Sequence, residues 1–228
     1  MASFSTSVAL FDFLPVLISA AGLILLANAL AFRLPKLKSL VWVAALAVPF
    51  GGLCKASWKL IVALSEQRID WLENVLFIAM APGFVGLAYA LFHARRCWIE
   101  PSHKVSGHRM LMWMLLPLAV AASAWLLAPE HRIWFFCLLA ITTIANASLL
   151  VHAIRTARTG ALNWGVTAAF AINFAATLAL SGLSRLPDTE ASAWIQESVN
   201  LLAQAALASG LWHLSRRLKQ ALDTRSSA

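Results

Sequence analysis

Residues 71–92 have the sequence WLENVLFIAMAPGFVGLAYALF, and the basic segment HARR follows at residues 93–96. The stretch holds 22 residues and a single charged side chain, that of Glu73. A helix of about 20 apolar residues is long enough to cross the hydrocarbon core of a bilayer. Tryptophan at the start and arginine just after the end are typical of the two membrane interfaces. We therefore predict a transmembrane helix here.

The composition of the 228-residue chain extends this prediction to the whole protein. Hydrophobic residues make up 61% of the chain and charged residues 12%, about half the charged share of a soluble domain, so a water-soluble fold is excluded. Seven crossings of about 22 residues would leave no room for a soluble domain. We predict an all-α polytopic membrane protein with one domain over residues 1–228. Its seven transmembrane helices are predicted at 8–32, 40–64, 71–92, 110–128, 133–152, 160–183 and 194–214.

The basic residues predict how the helices are oriented. Thirteen of the 18 Lys and Arg residues follow helices 1, 3, 5 and 7, and cytoplasmic loops collect such residues. We therefore predict an outside N-terminus and a cytoplasmic C-terminus in a cell (inner) membrane. This placement also accounts for the net charge of +8, so no nucleic-acid partner is expected. The basic residues are Arg33, Lys36, Lys38, Arg95, Arg96, Lys104, Arg109, Arg155, Arg158, Arg216, Arg217, Lys219 and Arg225, whereas the opposite loops hold Glu66, Arg68, Asp70, Glu130, Arg132, Arg185, Asp188 and Glu190.

Helices 3 and 7 share an outline that favours an internal duplication. Each starts with tryptophan, at Trp71 and Trp194, and each ends in an aromatic residue, histidine and a pair of arginines. Residues 8–96 and 133–217 would then be parallel three-helix repeats joined by a linker helix at 110–128. The match also has an explanation without common ancestry, because any helix that starts outside acquires a tryptophan anchor and a basic end.

This 3+1+3 layout resembles the SWEET sugar transporters and the microbial rhodopsins in topology alone. The chain has no proline-glutamine pair like the SWEET signature, and helix 7, from Trp194 to Leu214, has no lysine that could hold retinal. The functional residues of these two families therefore have no counterparts that can be assigned in this chain.

Polar side chains inside the membrane concentrate in helices 2, 3, 6 and 7. Lys55 and Lys59 lie one turn apart on helix 2, about 14 Å and 8 Å from its predicted end at Leu64. Ionisable side chains at such depths usually face the bundle interior and are paired. Two lysines and two glutamates would balance in charge, so we expect a neutral polar cavity open to the outside. The candidate ligand-binding residues are Lys55, Lys59, Glu73, Asn74, Asn173, Thr177, Glu197, Asn200 and Gln204.

This pattern favours binding and transport of a small polar, anionic or amphipathic molecule, with Glu73 or Glu197 available to carry a coupling proton. A ligand-sensing receptor with a cytoplasmic partner and a membrane-embedded lipid-modifying enzyme are the alternatives. A purely structural role is a further one, because Lys59, Glu73 and Glu197 are close enough to reach the outer interface. The amides and hydroxyls would then only join helices by hydrogen bonds.

Several features weigh against an enzyme. The chain has no H-E-x-x-H, G-x-S-x-G or P-loop motif, so no catalytic residues are assigned. Its three cysteines and six histidines match no metal-binding spacing, and we expect no metal and no cofactor. The expected partners are the lipid bilayer and a small-molecule ligand, and the pattern leaves open whether the protein forms a homo-oligomer.

Overall fold

Seven long helices make up almost all of the described chain. The computed structural model describes residues 5–65, 67, 69–100, 102–158, 164–183, 185–187 and 189–226, with side chains as far as residue 219. The predicted all-helical fold is confirmed. The helices are α1 (Thr6–Arg33, in which Thr6–Phe11 and Phe13–Arg33 meet at Asp12), α2 (Lys38–Ser65), α3 (Asp70–Ile99), α4 (Gly107–Leu127), α5 (Ile133–Ala157), α6 (Trp164–Leu183) and α7 (Glu190–Ser226).

Each predicted helix overlaps one of these seven. The largest difference is in α7, which extends beyond the predicted 194–214 at both ends because the polar residues that flank its apolar part continue the helix. A short 3₁₀ turn, Pro35–Leu37, joins α1 to α2. Residues 160–163 of the predicted sixth helix lie outside the described residues, as do the loop charges Glu66, Arg68 and Asp188.

Six of the described helices, α1 to α6, are long and apolar enough to cross a membrane. Lipid offers no hydrogen-bonding partner to the backbone, so an apolar run that crosses it satisfies its own N–H and C=O groups by forming a helix. Large apolar side chains also cover the outer surface: Leu127 is 86% exposed, Phe32 71% and Ile144 69%. Such a surface is matched to lipid tails rather than to water. The chain is therefore a helical membrane protein.

The packing order places α1 between α2 and α7, and α3 between α2 and α5. α6 packs chiefly on α7, and α4 packs on α3 and α5. Small residues allow the closest contacts: a Cβ atom added to Gly22 of α1 would lie 2.7 Å from the Cα atom of Ala208 in α7. The shared apolar core includes Leu23, Leu26, Leu30, Val41, Leu87, Leu149, Phe170, Leu211 and Leu214.

The basic helix ends meet at one end of the bundle. The guanidinium group of Arg33, which ends α1, lies 5.1 Å from the ring centroid of Trp98 in α3. Arg217 of α7 donates a hydrogen bond from Nη1 to the carbonyl oxygen of Ala157 in α5, at 2.7 Å. The ends of these four helices therefore converge, and we call this the basic end.

Candidate functional site

Three charged side chains from three helices meet near the end of the bundle opposite to the basic end. The Nζ atom of Lys59 in α2 lies 2.9 Å from Oδ2 of Asp12 in α1 and 2.5 Å from Oε1 of Glu197 in α7. The three side chains are almost enclosed, with 11% of Lys59 and 8% of each carboxylate side chain exposed. Charges removed from water are stable only when they are paired. We call Asp12, Lys59 and Glu197 the Lys59 cluster.

The helices bring the three residues to the same level. Asp12 lies six residues after the start of α1, Lys59 six residues before the end of α2, and Glu197 seven residues after the start of α7. At 1.5 Å per residue, each is about 9–11 Å from its own helix end. Because α1 lies between α2 and α7, a residue of α1 at this level contacts both neighbours. Beside the cluster, the rings of Phe11 and Trp194 pack edge to face, with centroids 5.3 Å apart.

A chain of polar side chains extends from the Lys59 cluster along α7. Asn200 donates a hydrogen bond from Nδ2 to Oε2 of Glu197 at 3.4 Å, and Gln204 donates one from Nε2 to Oδ1 of Asn200 at 3.5 Å. The structure therefore brings together four of the predicted residues, Lys59, Glu197, Asn200 and Gln204. The spacing of Glu197, Asn200 and Gln204 places these three residues on one stripe of α7, as predicted. Gln204 lies about 21 Å from the start of α7, so the stripe runs toward the middle of the bundle.

Lys55 and Glu73 lie at the edge of this cluster. Lys55 is one turn deeper in α2 than Lys59, and it interacts electrostatically with Lys59, Asp12, Glu197 and Glu73. Both Lys55 and Glu73 are partly buried. With Asp12 included, the two lysines face three carboxylates, those of Asp12, Glu73 and Glu197. The region therefore holds one negative charge more than the balance of two lysines and two glutamates expected from the sequence.

The other three predicted residues join helices or bond within one. Asn74 of α3 accepts a hydrogen bond at Oδ1 from Nη2 of Arg132, at 3.2 Å. Asn173 of α6 is buried and donates from Nδ2 to the carbonyl oxygen of Ala203 in α7, at 2.9 Å. Thr177 donates to the carbonyl oxygen of Asn173 within α6, at 2.8 Å. The Asn74 and Asn173 contacts fit the structural alternative, in which polar side chains join neighbouring helices, whereas the Thr177 bond stays within α6.

Asp12 is the residue of the cluster that the sequence analysis missed. It is the only acidic residue before Glu66, and it lies inside the first apolar segment. An ionisable side chain inside a membrane segment is a signal of function or pairing in its own right. The sequence does not show, however, that α1 lies between α2 and α7, so it does not indicate which side chains Asp12 meets.

The chain has no match among protein-family models, curated proteins or solved structures. Among the residues that the structure describes, no group of three or more His, Cys, Asp or Glu side chains is placed to hold a metal ion. The fold and the Lys59 cluster define the class: a polytopic helical membrane protein with an enclosed, three-helix ion-pair cluster.

Proposed function

We propose that the protein is a small carrier that crosses a cell (inner) membrane seven times, with its N-terminus outside and its C-terminus in the cytoplasm. The convergence of basic residues at one end of the bundle supports this orientation. α7 would be the seventh crossing, because it packs along α1 and α6 and buries a continuous apolar stripe. That stripe consists of Ala203, Leu207, Leu211, Leu214 and Leu218. The three-helix repeat stays a prediction.

The transported molecule is proposed to be a small polar or anionic solute that moves together with a proton. The observation that carries this proposal is the sharing of one ammonium group, that of Lys59, by the carboxylates of Asp12 and Glu197. Two carboxylates on one lysine leave one negative charge in excess at contact distance. If Glu197 takes up a proton from the outer side, the excess charge is removed and Lys59 gains capacity to bind an anion.

Polar and charged residues next to the Lys59 cluster provide a path for the anion toward the middle of the bundle. Lys55 lies one turn deeper than Lys59 in α2, so an anion released from Lys59 would meet a second cation next. Asn200 and Gln204 extend the hydrogen-bonding surface on α7 toward the same depth. Return of the proton from Glu197 to water on the inner side would restore the ion pair and complete the cycle.

Transport can be measured as uptake of radiolabelled anions into proteoliposomes, because one proton moving with one monovalent anion carries no net charge and gives no current. Lactate, succinate and inorganic phosphate are applied separately under an inward proton gradient. We expect uptake above that of empty liposomes with at least one of these anions, abolished when a protonophore and valinomycin collapse the gradient and lost in Glu197→Gln and Lys55→Ala. Glu190→Gln is the matched control, since it removes an exposed carboxylate from the first turn of the same helix.

Two outcomes would contradict the proposal. One is unchanged uptake by folded Glu197→Gln and Lys55→Ala proteins, which would show that the Lys59 cluster is not part of the transport pathway. The other is the absence of gradient-driven uptake of all three anions by folded protein of natural sequence, which would contradict a carrier of small anions.

A further inference from the structure

A second feature, separate from the Lys59 cluster, is a groove between α3, α4 and α5. It has a volume of 540 Å³. Several of its lining side chains are also exposed on the outside of the bundle: Ile144 is 69% exposed, Trp113 54% and Leu116 48%. The groove is therefore open sideways, in the direction from which lipid would approach.

The groove changes from apolar to polar along its length. It extends about 12 Å along α3, from Val85 to His93, and about 16 Å along α5, from Ile141 to His152. Its polar side chains all lie toward the basic end, and its middle-membrane part is lined by apolar ones. The polar lining residues are Tyr89, His93, Ser148 and His152, and the apolar ones nearest the middle are Val85, Val120, Ile141, Ile144 and Ala145.

Positive charge surrounds the polar end of the groove. Arg96 and Arg109 interact electrostatically with His93, and Arg95 and Arg155 interact electrostatically with His152. An anion placed between the two histidines would therefore be attracted by four arginines.

Two buried polar atoms in this region lack a hydrogen-bond partner among the described residues. They are Nδ1 of His152 and Nε of Arg95. Buried polar atoms are almost always paired. A phosphate oxygen would accept a hydrogen bond from Nε of Arg95, and from Nδ1 of His152 in the tautomer that carries the proton on that nitrogen.

We propose that this groove binds an anionic phospholipid from the surrounding leaflet, with an acyl chain along its apolar part and the phosphate at His93 and His152. The proposal goes beyond the carrier function and is independent of it. A second copy of the chain fits this face less well, because copies in one membrane share an orientation. The basic end of the second copy would therefore lie at the same level as the four arginines of the first copy and repel them.

Native mass spectrometry of the full chain tests the proposal directly. The protein is released from detergent in the presence of equal amounts of phosphatidylglycerol and phosphatidylcholine with identical acyl chains. We expect about fivefold or greater retention of phosphatidylglycerol over phosphatidylcholine, from the attraction of the arginines to its net negative charge. The double variant Arg95→Gln/Arg155→Gln should lower the ratio by at least about twofold, with Arg96 and Arg109 retaining part of the preference. Arg216→Gln is the control: it removes an arginine of α7 that is stacked on Trp212 at the basic end of the bundle, and it should leave the ratio unchanged.

A second variant tests the groove itself without changing charge or the packed core. Ile144→Trp puts a larger side chain at an exposed lining position, and Leu178→Trp puts the same side chain at an exposed position of α6 outside the groove. We expect Ile144→Trp to lose at least about half of the bound phosphatidylglycerol and Leu178→Trp to keep it.

Three results would overturn the assignment. Equal retention of the two lipids by the protein of natural sequence would show that the arginines do not select the anionic lipid. Equal retention by Ile144→Trp and Leu178→Trp would place the lipid elsewhere. A lipid-free dimer that Ile144→Trp dissociates would show that a second copy, not a lipid, covers the groove.

Discussion

The Nζ atom of Lys59 lies 2.9 Å from Oδ2 of Asp12, so the ammonium group in α2 is paired with a carboxylate at the junction of the two segments of α1. The same ammonium group contacts Glu197 of α7. The Lys59 cluster therefore ties together three helices that are far apart in sequence.

Removal of Lys59 should destabilise the fold more than removal of Asp12. Lys59→Met leaves two buried carboxylates without their cation, which should cost about 3–5 kcal/mol. Asp12→Asn leaves the Lys59–Glu197 pair in place, so we expect a loss of about 1–2 kcal/mol. Unfolding free energies from detergent denaturation in mixed micelles measure both. Glu190→Gln, at an exposed position, should change stability by no more than about 0.5 kcal/mol. A larger loss for Asp12→Asn than for Lys59→Met would contradict the central position of the lysine.

Lys59 and Glu197 should be energetically coupled. Lys59→Met leaves the two carboxylates of Asp12 and Glu197 without their cation, whereas Glu197→Gln keeps the Asp12–Lys59 pair. The double variant leaves one uncompensated carboxylate, that of Asp12, so the loss caused by Lys59→Met is smaller in the Glu197→Gln background. We expect the double variant to be more stable than the sum of the single losses by about 1–3 kcal/mol. A double-mutant cycle on the same unfolding assay gives this value. Strict additivity would show that the two residues do not form the contact described.

The close contact between α1 and α7 should make Gly22 sensitive to the smallest enlargement. A Cβ atom at this position would lie 2.7 Å from backbone of Ala208, so Gly22→Ala should force α1 and α7 apart at a cost of about 1–3 kcal/mol. Gly182→Ala is the matched control, since a Cβ atom there meets nothing within 4 Å. We expect this control to be neutral or slightly stabilising, because alanine favours the helix over glycine. The thermal midpoints of the two variants in detergent compare them directly, and equal effects would contradict the packing of α1 on α7.

The proposed orientation predicts which loops are accessible from each side of the membrane. In a background with Cys54, Cys97 and Cys137 replaced by alanine, cysteine is introduced at Ser102, near the basic end, or at Glu130, at the opposite end. In right-side-out vesicles, an impermeant maleimide should label Glu130→Cys directly and Ser102→Cys only after permeabilisation. The reverse labelling pattern would show that the topology is the opposite of the proposed one. The Lys59 cluster would then lie near the cytoplasmic side of the membrane.

Much of the fold could be predicted from hydropathy alone. The seven predicted segments each overlap an observed helix, because an apolar run in lipid has to satisfy its own backbone and a polar loop has to end it. The stripe of Glu197, Asn200 and Gln204 was also predictable, since residues three and four apart lie on one face of a helix. These are local properties of the chain, readable without knowledge of any neighbour.

The partners of those side chains were not predictable in the same way. The sequence pattern favours a group of Glu73, Asn74 and the two lysines, whereas in the structure Asn74 bonds to Arg132 and Lys59 pairs with Asp12. Asn173 and Thr177 were expected to line a cavity, and the structure has them bonded to Ala203 and to Asn173 itself. The order in which helices pack depends on close contacts such as Gly22 on Ala208, which hydropathy does not register.

The sequence by itself determined that the chain is a helical membrane protein, where its helices lie and which of their ends are basic, because each of these follows from the transfer of short segments into lipid. Only the tertiary structure decided that Asp12, Lys59 and Glu197 form one cluster and that a groove with a basic end opens between α3, α4 and α5. Both features depend on which helices are neighbours. That arrangement is set by the shapes of whole helix faces, which contacts between residues far apart in the chain bring together.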